Sequence, residues 1–308
     1  MKRLILFFIT MLSGLFPMQV SAQSLSNNYV QIHTYLEAGN ASKRMDQIQY
    51  FDDLGREEQL VLKRFAPNGQ DVVSGVQYDG YGRKWRELIP VQSIYSTGSY
   101  ISNLSEQAAR FTGDASPYTE IGYEDSPLER VLSETGAGDV WHSANKKKRN
   151  VYLVNDASVN GLLAARHYTV SSDYSITQGS PSVYAAGELQ VILAVGEDND
   201  STLTFMDKQQ HTVLIRQRNK GVSHDTYYVY NDYGLLCYVL PPQLDGKIDA
   251  VSLGLYAYSY KYDDRDRCIE KKLPGCESIS LVYDRADRLV LEQNGVQKGK
   301  KRWTVHKY

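Results

Sequence analysis

One hexapeptide constrains this chain more than any other stretch: Tyr78-Asp79-Gly80-Tyr81-Gly82-Arg83. A strand aromatic is followed by Asp, two free positions, Gly and Arg, and that order spells a hairpin. Asp suits the first corner of a type I turn because its carboxylate accepts from backbone N–H groups further round the bend. Gly82, at the fourth place, takes the left-handed conformation that closes the turn with a one-residue bulge. Arg83 opens the return strand within reach of a charge-assisted hydrogen bond to Asp79.

The device recurs. Tyr50-Phe51-Asp52-Asp53-Leu54-Gly55-Arg56 reads as a version with one residue inserted between aromatic and Asp. Tyr262-Asp263 with Arg267, and Tyr283-Asp284 with Arg288, keep Tyr, Asp and Arg but put Asp266 and Asp287 where Gly stood. Asp is among the few residues besides Gly that tolerate positive φ. Tyr230-Asn231-Asp232-Tyr233-Gly234-Leu235 keeps the Gly but exchanges Asp for Asn and Arg for Leu. Phe205-Met206-Asp207, ending Gln210-His211, is a worn copy. The copies are unevenly spaced, which fits hairpins of unequal length better than a strict solenoid. Pro67-Asn68-Gly69 supplies a turn at the opposite edge, and Pro274-Gly275 and Asn294-Gly295 read the same way. One hairpin does not hold together in water, so successive hairpins must pair side by side. The expected fold is all-β, a meander of antiparallel hairpins forming a curling sheet. Between residues 90 and 134 the alternation weakens, which predicts an irregular or helical insert with a short capped helix over 105–111.

These residues carry a resemblance. Tyr-Asp-x-x-Gly-Arg units resemble the YD repeats of the RHS-repeat family, large secreted or surface proteins whose repeats build a spiralling β-sheet. The phrases Asp46-Gln47-Ile48-Gln49-Tyr50-Phe51-Asp52, Tyr184-Ala185-Ala186-Gly187-Glu188-Leu189 and Val239-Leu240-Pro241-Pro242 resemble the uncharacterised domain that precedes the repeats in a bacterial branch of that family. The resemblance extends over most of the chain from about Tyr29 onward. It implies an N-terminal β-rich uncharacterised domain over 23–165 with two YD-like hairpins, then the start of the repeat sheet over 166–308. The chain ends at Lys307-Tyr308, where the pattern asks for another Asp, so it reads as cut in mid-repeat. The function implied is a non-catalytic segment of a secreted shell that encloses or presents a C-terminal toxin-like domain. Its partner would be that domain of the same longer protein, or a secretion or surface apparatus. The alternative is a glycan-binding or adhesive surface, in which tyrosine rings beside Asp and Arg stack on sugar faces.

Lys2 and Arg3 precede an apolar run over 4–16, and Val20-Ser21-Ala22 places small residues before Gln23. This is the pattern of a secretory signal peptide over 1–22. Gly14 and Pro17 interrupt the run before it reaches the roughly 20 residues that span a bilayer, so no stable membrane insertion is expected after cleavage. The expected location is secreted or at the cell surface. Without Lys2 and Arg3 the chain has 32 basic against 36 acidic residues, a net charge of −4. That balance does not suit a nucleic-acid partner. Tyr is abundant, 24 residues against 7 Phe, which suits a sheet surface with one wet side. The three cysteines, Cys237, Cys268 and Cys276, leave at least one thiol unpaired. Cys268 and Cys276 flank a turn where a disulfide would close a hairpin, and buried free thiols are the simpler reading.

Fragments of catalytic motifs do not assemble. Ser143-Ala144-Asn145-Lys146 lacks the companions of a Ser-x-x-Lys hydrolase, and Gly136-Ala137-Gly138 lacks a third Gly. Glu197-Asp198-Asn199-Asp200 lacks EF-hand spacing and reads as a turn between strands. The basic runs over 146–149 and 298–302 read as solvated loop tips. No catalytic, cofactor-binding or metal-binding residue is expected, and the chain is read as not an enzyme.

Overall fold

A computed structural model describes residues 27–38, 40, 42–159 and 161–308. The signal peptide expected over 1–22 lies outside the described residues. These form an all-β chain of antiparallel ladders with a few short helices, in two compact units: one up to residue 120 together with 136–142, the other 121–135 together with 143–308.

In the first unit β1 (Asn28–Tyr35), β2 (Arg44–Phe51), β3 (Glu57–Lys63), β4 (Val72–Tyr78), β5 (Lys84–Gln92) and the start of β6 (Tyr118–Tyr123) each pair with the next strand. Side chains alternate between the two faces of a strand, and one face buries Ile48, Tyr50, Val61, Val73 and Leu88. The helix α1 (Leu104–Thr112) adds Leu104 and Ala108 to that core. Gly75 makes room for it, since a Cβ there would lie 2.7 Å from Leu104 Cδ2. Asn103 gives no side-chain cap, so burial rather than capping holds the helix start, and Gly113 ends it at φ +69°. The approach to the helix is tied down by buried polar groups. Tyr50 donates its hydroxyl to Gly98 O at 2.7 Å, Asp71 accepts from Gly98 N at 2.6 Å, and Gln59 bonds the backbone of Ile101 in both directions. A second short helix, α2 (Asp139–Ser143), lies beside Asp114, whose carboxylate accepts from Asp139 N.

The stretch expected to be irregular over 90–134 also contains strands, β6 and β7 (Val131–Thr135). Every residue of β6 is half-buried, so it has no clear inside and outside, and alternation could not reveal it. Its pairing to β5 is fixed by Arg86, which lies 4.0 Å over the Tyr118 ring and donates to Glu120 at 2.7 Å.

In the second unit β7 pairs with β8 (Lys148–Val154), but β9 (Arg166–Val170) and β10 (Ile176–Val183) leave the meander as a separate two-stranded sheet. β8 pairs instead with β11 (Gln190–Val195). The ladder then runs through β12 (Ser201–Met206), β13 (Thr212–Asn219), β14 (Val222–Tyr230), β15 (Leu236–Leu240), β16 (Tyr258–Tyr262), β17 (Cys268–Lys272), β18 (Ile279–Tyr283), β19 (Leu289–Gln293) and β20 (Thr304–Val305). Tyr168 and Ile176 of the separate hairpin share one core with Leu189, Leu203, Phe205 and Leu214. That shared burial explains the departure from a plain meander: the hairpin covers the apolar face of the sheet beneath it.

One turn assignment is corrected. Asn294-Gly295 is not a hairpin turn; Asn294 caps α4 (Gly295–Gly299) in a capping box with Gln297. A two-residue turn instead joins β13 to β14 at Lys220-Gly221, both at positive φ. The cysteines are all free. Cys237 is buried, while Cys268 is half-buried and Cys276 exposed, so the expectation of free thiols at Cys268 and Cys276 holds and that of their burial is corrected. The helix α3 (Ala250–Tyr256) is capped by Asp249. Among the described residues no helix is long and apolar enough to cross a membrane.

Candidate functional site

The repeated turns share one geometry. Asp79 N–H donates to Arg83 O at 2.9 Å and Gly82 N–H donates to Asp79 O at 3.0 Å, with Gly82 at φ +84°. The same two bonds close the turns at Asp52, Asp207, Asn231, Asp263 and Asp284. The left-handed residue in those turns is Gly55, Gln210, Gly234, Asp266 and Asp287 respectively. The first residue of the turn also works through its side chain. Asp79 Oδ1 accepts from Tyr81 N and Arg83 N, both at 2.9 Å, and Oδ2 accepts from Arg83 Nε at 2.7 Å. Asp52 with Arg56, Asp263 with Arg267 and Asp284 with Arg288 repeat all three bonds. Asn231 keeps the two backbone bonds through its single carbonyl oxygen, and its partner position holds Leu235, which has nothing to donate. Asp207 keeps all three, with His211 in place of Arg.

At Asp52, Asp79, Asp263 and Asp284 these bonds favour the charged carboxylate. For Asp79, and likewise Asp52, burial alone would raise the carboxyl, but the N–H groups and guanidinium of the turn outweigh it and bring it below its ordinary value. The Arg267 guanidinium, against the effect of burial, takes Asp263 down to about 2. Asp284 is lowered first by the backbone N–H of Arg288.

Successive turns are joined to one another. Tyr78 donates its hydroxyl to Glu57 O at 2.8 Å, just beyond Arg56, and the Arg56 guanidinium lies 4.2 Å over the Tyr78 ring. Tyr230 donates to Thr212 O at 3.1 Å, and its ring stacks on His211 at 4.6 Å. Tyr283 donates to Cys268 O at 3.0 Å under Arg267. Tyr308 stands in the same relation to Leu289 and Arg288. Tyr262 donates to Leu236 O at 2.8 Å, and its backbone N–H and carbonyl bond the Tyr174 hydroxyl at the tip of the β9–β10 hairpin. At Gly82 and Gly234 the side chain from the preceding turn packs close: a Cβ on Gly82 would lie 2.7 Å from Arg56 Nη1, and one on Gly234 3.1 Å from His211. Where the left-handed residue is Asp287, Arg267 binds its carboxylate at 2.7 Å.

Tyr50 stands apart. The ladder between β2 and β3 slips by one residue so that Phe51 faces Glu57, as Tyr78 faces Lys84 and Tyr230 faces Leu236. Phe51 therefore holds the aromatic place of the first turn without any insertion, and Tyr50 points to the other face, into the core. Met206 holds that place before Asp207, with Phe205 in the core.

One arrangement was not visible in the motifs. Arg216 on β13 binds Asp225 on β14 through Nε and Nη2, at 2.7 and 2.6 Å, and donates Nη1 to Leu162 O and Ala164 O. The signal for it was a charged residue after Val213-Leu214-Ile215, together with the Lys220-Gly221 turn that sets Arg216 opposite Asp225. Among the described residues no group of three or more His, Cys, Asp or Glu is placed to hold a metal ion.

Residues 25–154 match a family described as a domain of unknown function (DUF6443). No curated protein matches the chain. Among solved structures 31 chains match. The crystal structures of TcdB2-TccC3 and of TcdB2-TccC3-Cdc42 are each 14% identical with a TM-score of 0.53, covering 82% of this chain and 12% and 11% of theirs. The crystal structure of TcdB2-TccC3-TEV is 14% identical with a TM-score of 0.52, covering 90% of this chain and 13% of that one. The chain thus spans only a small part of the length of the solved chains it matches, and the likeness is one of fold.

Proposed function

We propose that this chain is a non-catalytic structural segment of a secreted RHS-repeat shell, in which a leading domain over 23–165 precedes the start of the repeat sheet over 166–308. The shell encloses or presents a C-terminal toxin-like domain of the same longer protein. The observation that carries this reading is the ladder of turns. Tyr78, Tyr230, Tyr262, Tyr283 and Tyr308 each donate to a carbonyl just beyond the turn before them, and the carboxylate that opens each Asp turn is taken up by that turn, so the motif's chemistry joins hairpins rather than acting on a substrate. On this reading the chain works without cofactor or metal, is exported to the periplasm by way of its leader, and meets a secretion or surface apparatus. The fold shared with TcdB2-TccC3 supports the reading. A glycan surface built on the repeat tyrosines is less well supported, because the hydroxyls of Tyr78, Tyr230, Tyr262 and Tyr283 are already given to backbone carbonyls.

Protease challenge of the product of the whole gene tests the proposal. The domain downstream of the repeats should survive concentrations that digest the same domain made alone. Equal rates of digestion would overturn the reading.

A further inference from the structure

The second unit holds a cavity of about 570 Å³ that the turn ladder does not use. Its floor includes the buried Tyr168, Tyr227 and Leu240, and Arg166, Arg218 and Lys247 also line it. The size falls within the range of small-molecule sites, which combine an apolar floor with a few convergent polar groups. Asp225, on the same wall, is already matched by both arms of Arg216 and by the Tyr227 hydroxyl at 3.3 Å. That leaves three cations, Arg166, Arg218 and Lys247, against one lining carboxylate, Asp245, with His224 besides.

Arg218 Nε is buried with no hydrogen-bond partner, and the hydroxyl of Tyr168, a residue only 6% exposed, has just the Arg166 guanidinium beside it, itself a donor, so the hydroxyl proton has no acceptor. A buried donor left unpaired is costly, and each such group calls for an explanation. Both groups would be satisfied by acceptor oxygens. Gly246 contributes by lacking a side chain, since a Cβ there would collide with the Arg166 guanidinium.

We propose that this cavity binds a small molecule carrying an oxyanion, a carboxylate or a phosphate. The anion accepts from Arg218 and Tyr168, and the body of the molecule rests on the Tyr168 and Tyr227 rings. The proposal does not depend on the shell reading.

Calorimetric titration of the folded chain with glucuronate, with inorganic phosphate and with glucose tests it. At least one anion should bind at millimolar concentration or below and glucose should not; which anion binds identifies the oxyanion. Arg218→Gln should weaken binding about tenfold, the scale of one charge-assisted hydrogen bond. Tyr168→Phe, which removes only a hydroxyl, should weaken it by a smaller factor and keeps the test open if Arg218→Gln misfolds. The proposal is overturned if neither anion binds, if glucose binds as well as they do, or if the folded variants bind with wild-type affinity.

Discussion

Gly82 and Gly55 occupy the same place in two turns, yet they should respond differently to a methyl group. Nothing lies within 4 Å of a Cβ on Gly55, so Gly55→Ala meets only the penalty of an L-residue at positive φ, about 1 kcal/mol. Gly82→Ala would in addition push Arg56 off the Tyr78 ring, raising the loss to about 2 kcal/mol. Urea unfolding midpoints of the two variants check this, and equal losses would mean that Arg56 is not held against Gly82. The carboxylates of Asp52, Asp79, Asp263 and Asp284 set a pH dependence whose sign follows from their lowered values. A carboxyl lowered on folding adds stability above its unfolded pKa and loses it as pH falls through the folded one. Stability should therefore be level above about pH 5 and decline from about pH 4, the unfolded range, toward the folded value of about 2 for Asp263. Thermal melts across that window in Asp263→Asn should show a smaller decline than wild type. Much of this scale was legible in the sequence because the turn is local: five consecutive residues contain nearly all its bonds. Tyr50 was misplaced because strand side chains alternate, and a one-residue slip moves a ring from the turn to the core.

Hairpins become a sheet through contacts between neighbouring elements. The Tyr283 hydroxyl ties β18 to β17 at Cys268 O, and Tyr283→Phe should lower stability by about 1 kcal/mol. Tyr233, 84% exposed, is the control, and Tyr233→Phe should leave the melting curve within about 0.5 kcal/mol of wild type. A silent Tyr283→Phe would show that the hydroxyl bond does not join the strands. Elements whose signal is nonlocal were harder to read. The helix α1 depends on Leu104 reaching over Gly75 and on Gln59 holding Ile101, contacts between distant parts of the chain. The β9–β10 hairpin has strand character like any other, and only the burial of Tyr168 and Ile176 shows that it lies over the sheet rather than within it. Arg216 and Asp225 become a pair only once the Lys220-Gly221 turn has set their register.

At the scale of the whole molecule, the proposed role rests on hairpins joined turn to turn into a wall. Within a turn the opening Asp or Asn gathers the turn's own N–H groups, and between turns the Tyr hydroxyl and the preceding Arg make the join, which is why the motif can repeat while the intervening strands vary. Tyr308 already takes the place of a repeat aromatic, with its hydroxyl on Leu289 O and its ring under Arg288. The most direct measurement is an electron cryomicroscopy structure of the product of the whole gene. The expected result is a wall in which further Tyr-Asp turns repeat the Tyr-to-carbonyl bond and the Arg-over-Tyr contact around an enclosed C-terminal domain. A structure in which residues 27–308 stand free, with no enclosed domain and no further turns joined in this way, would contradict it.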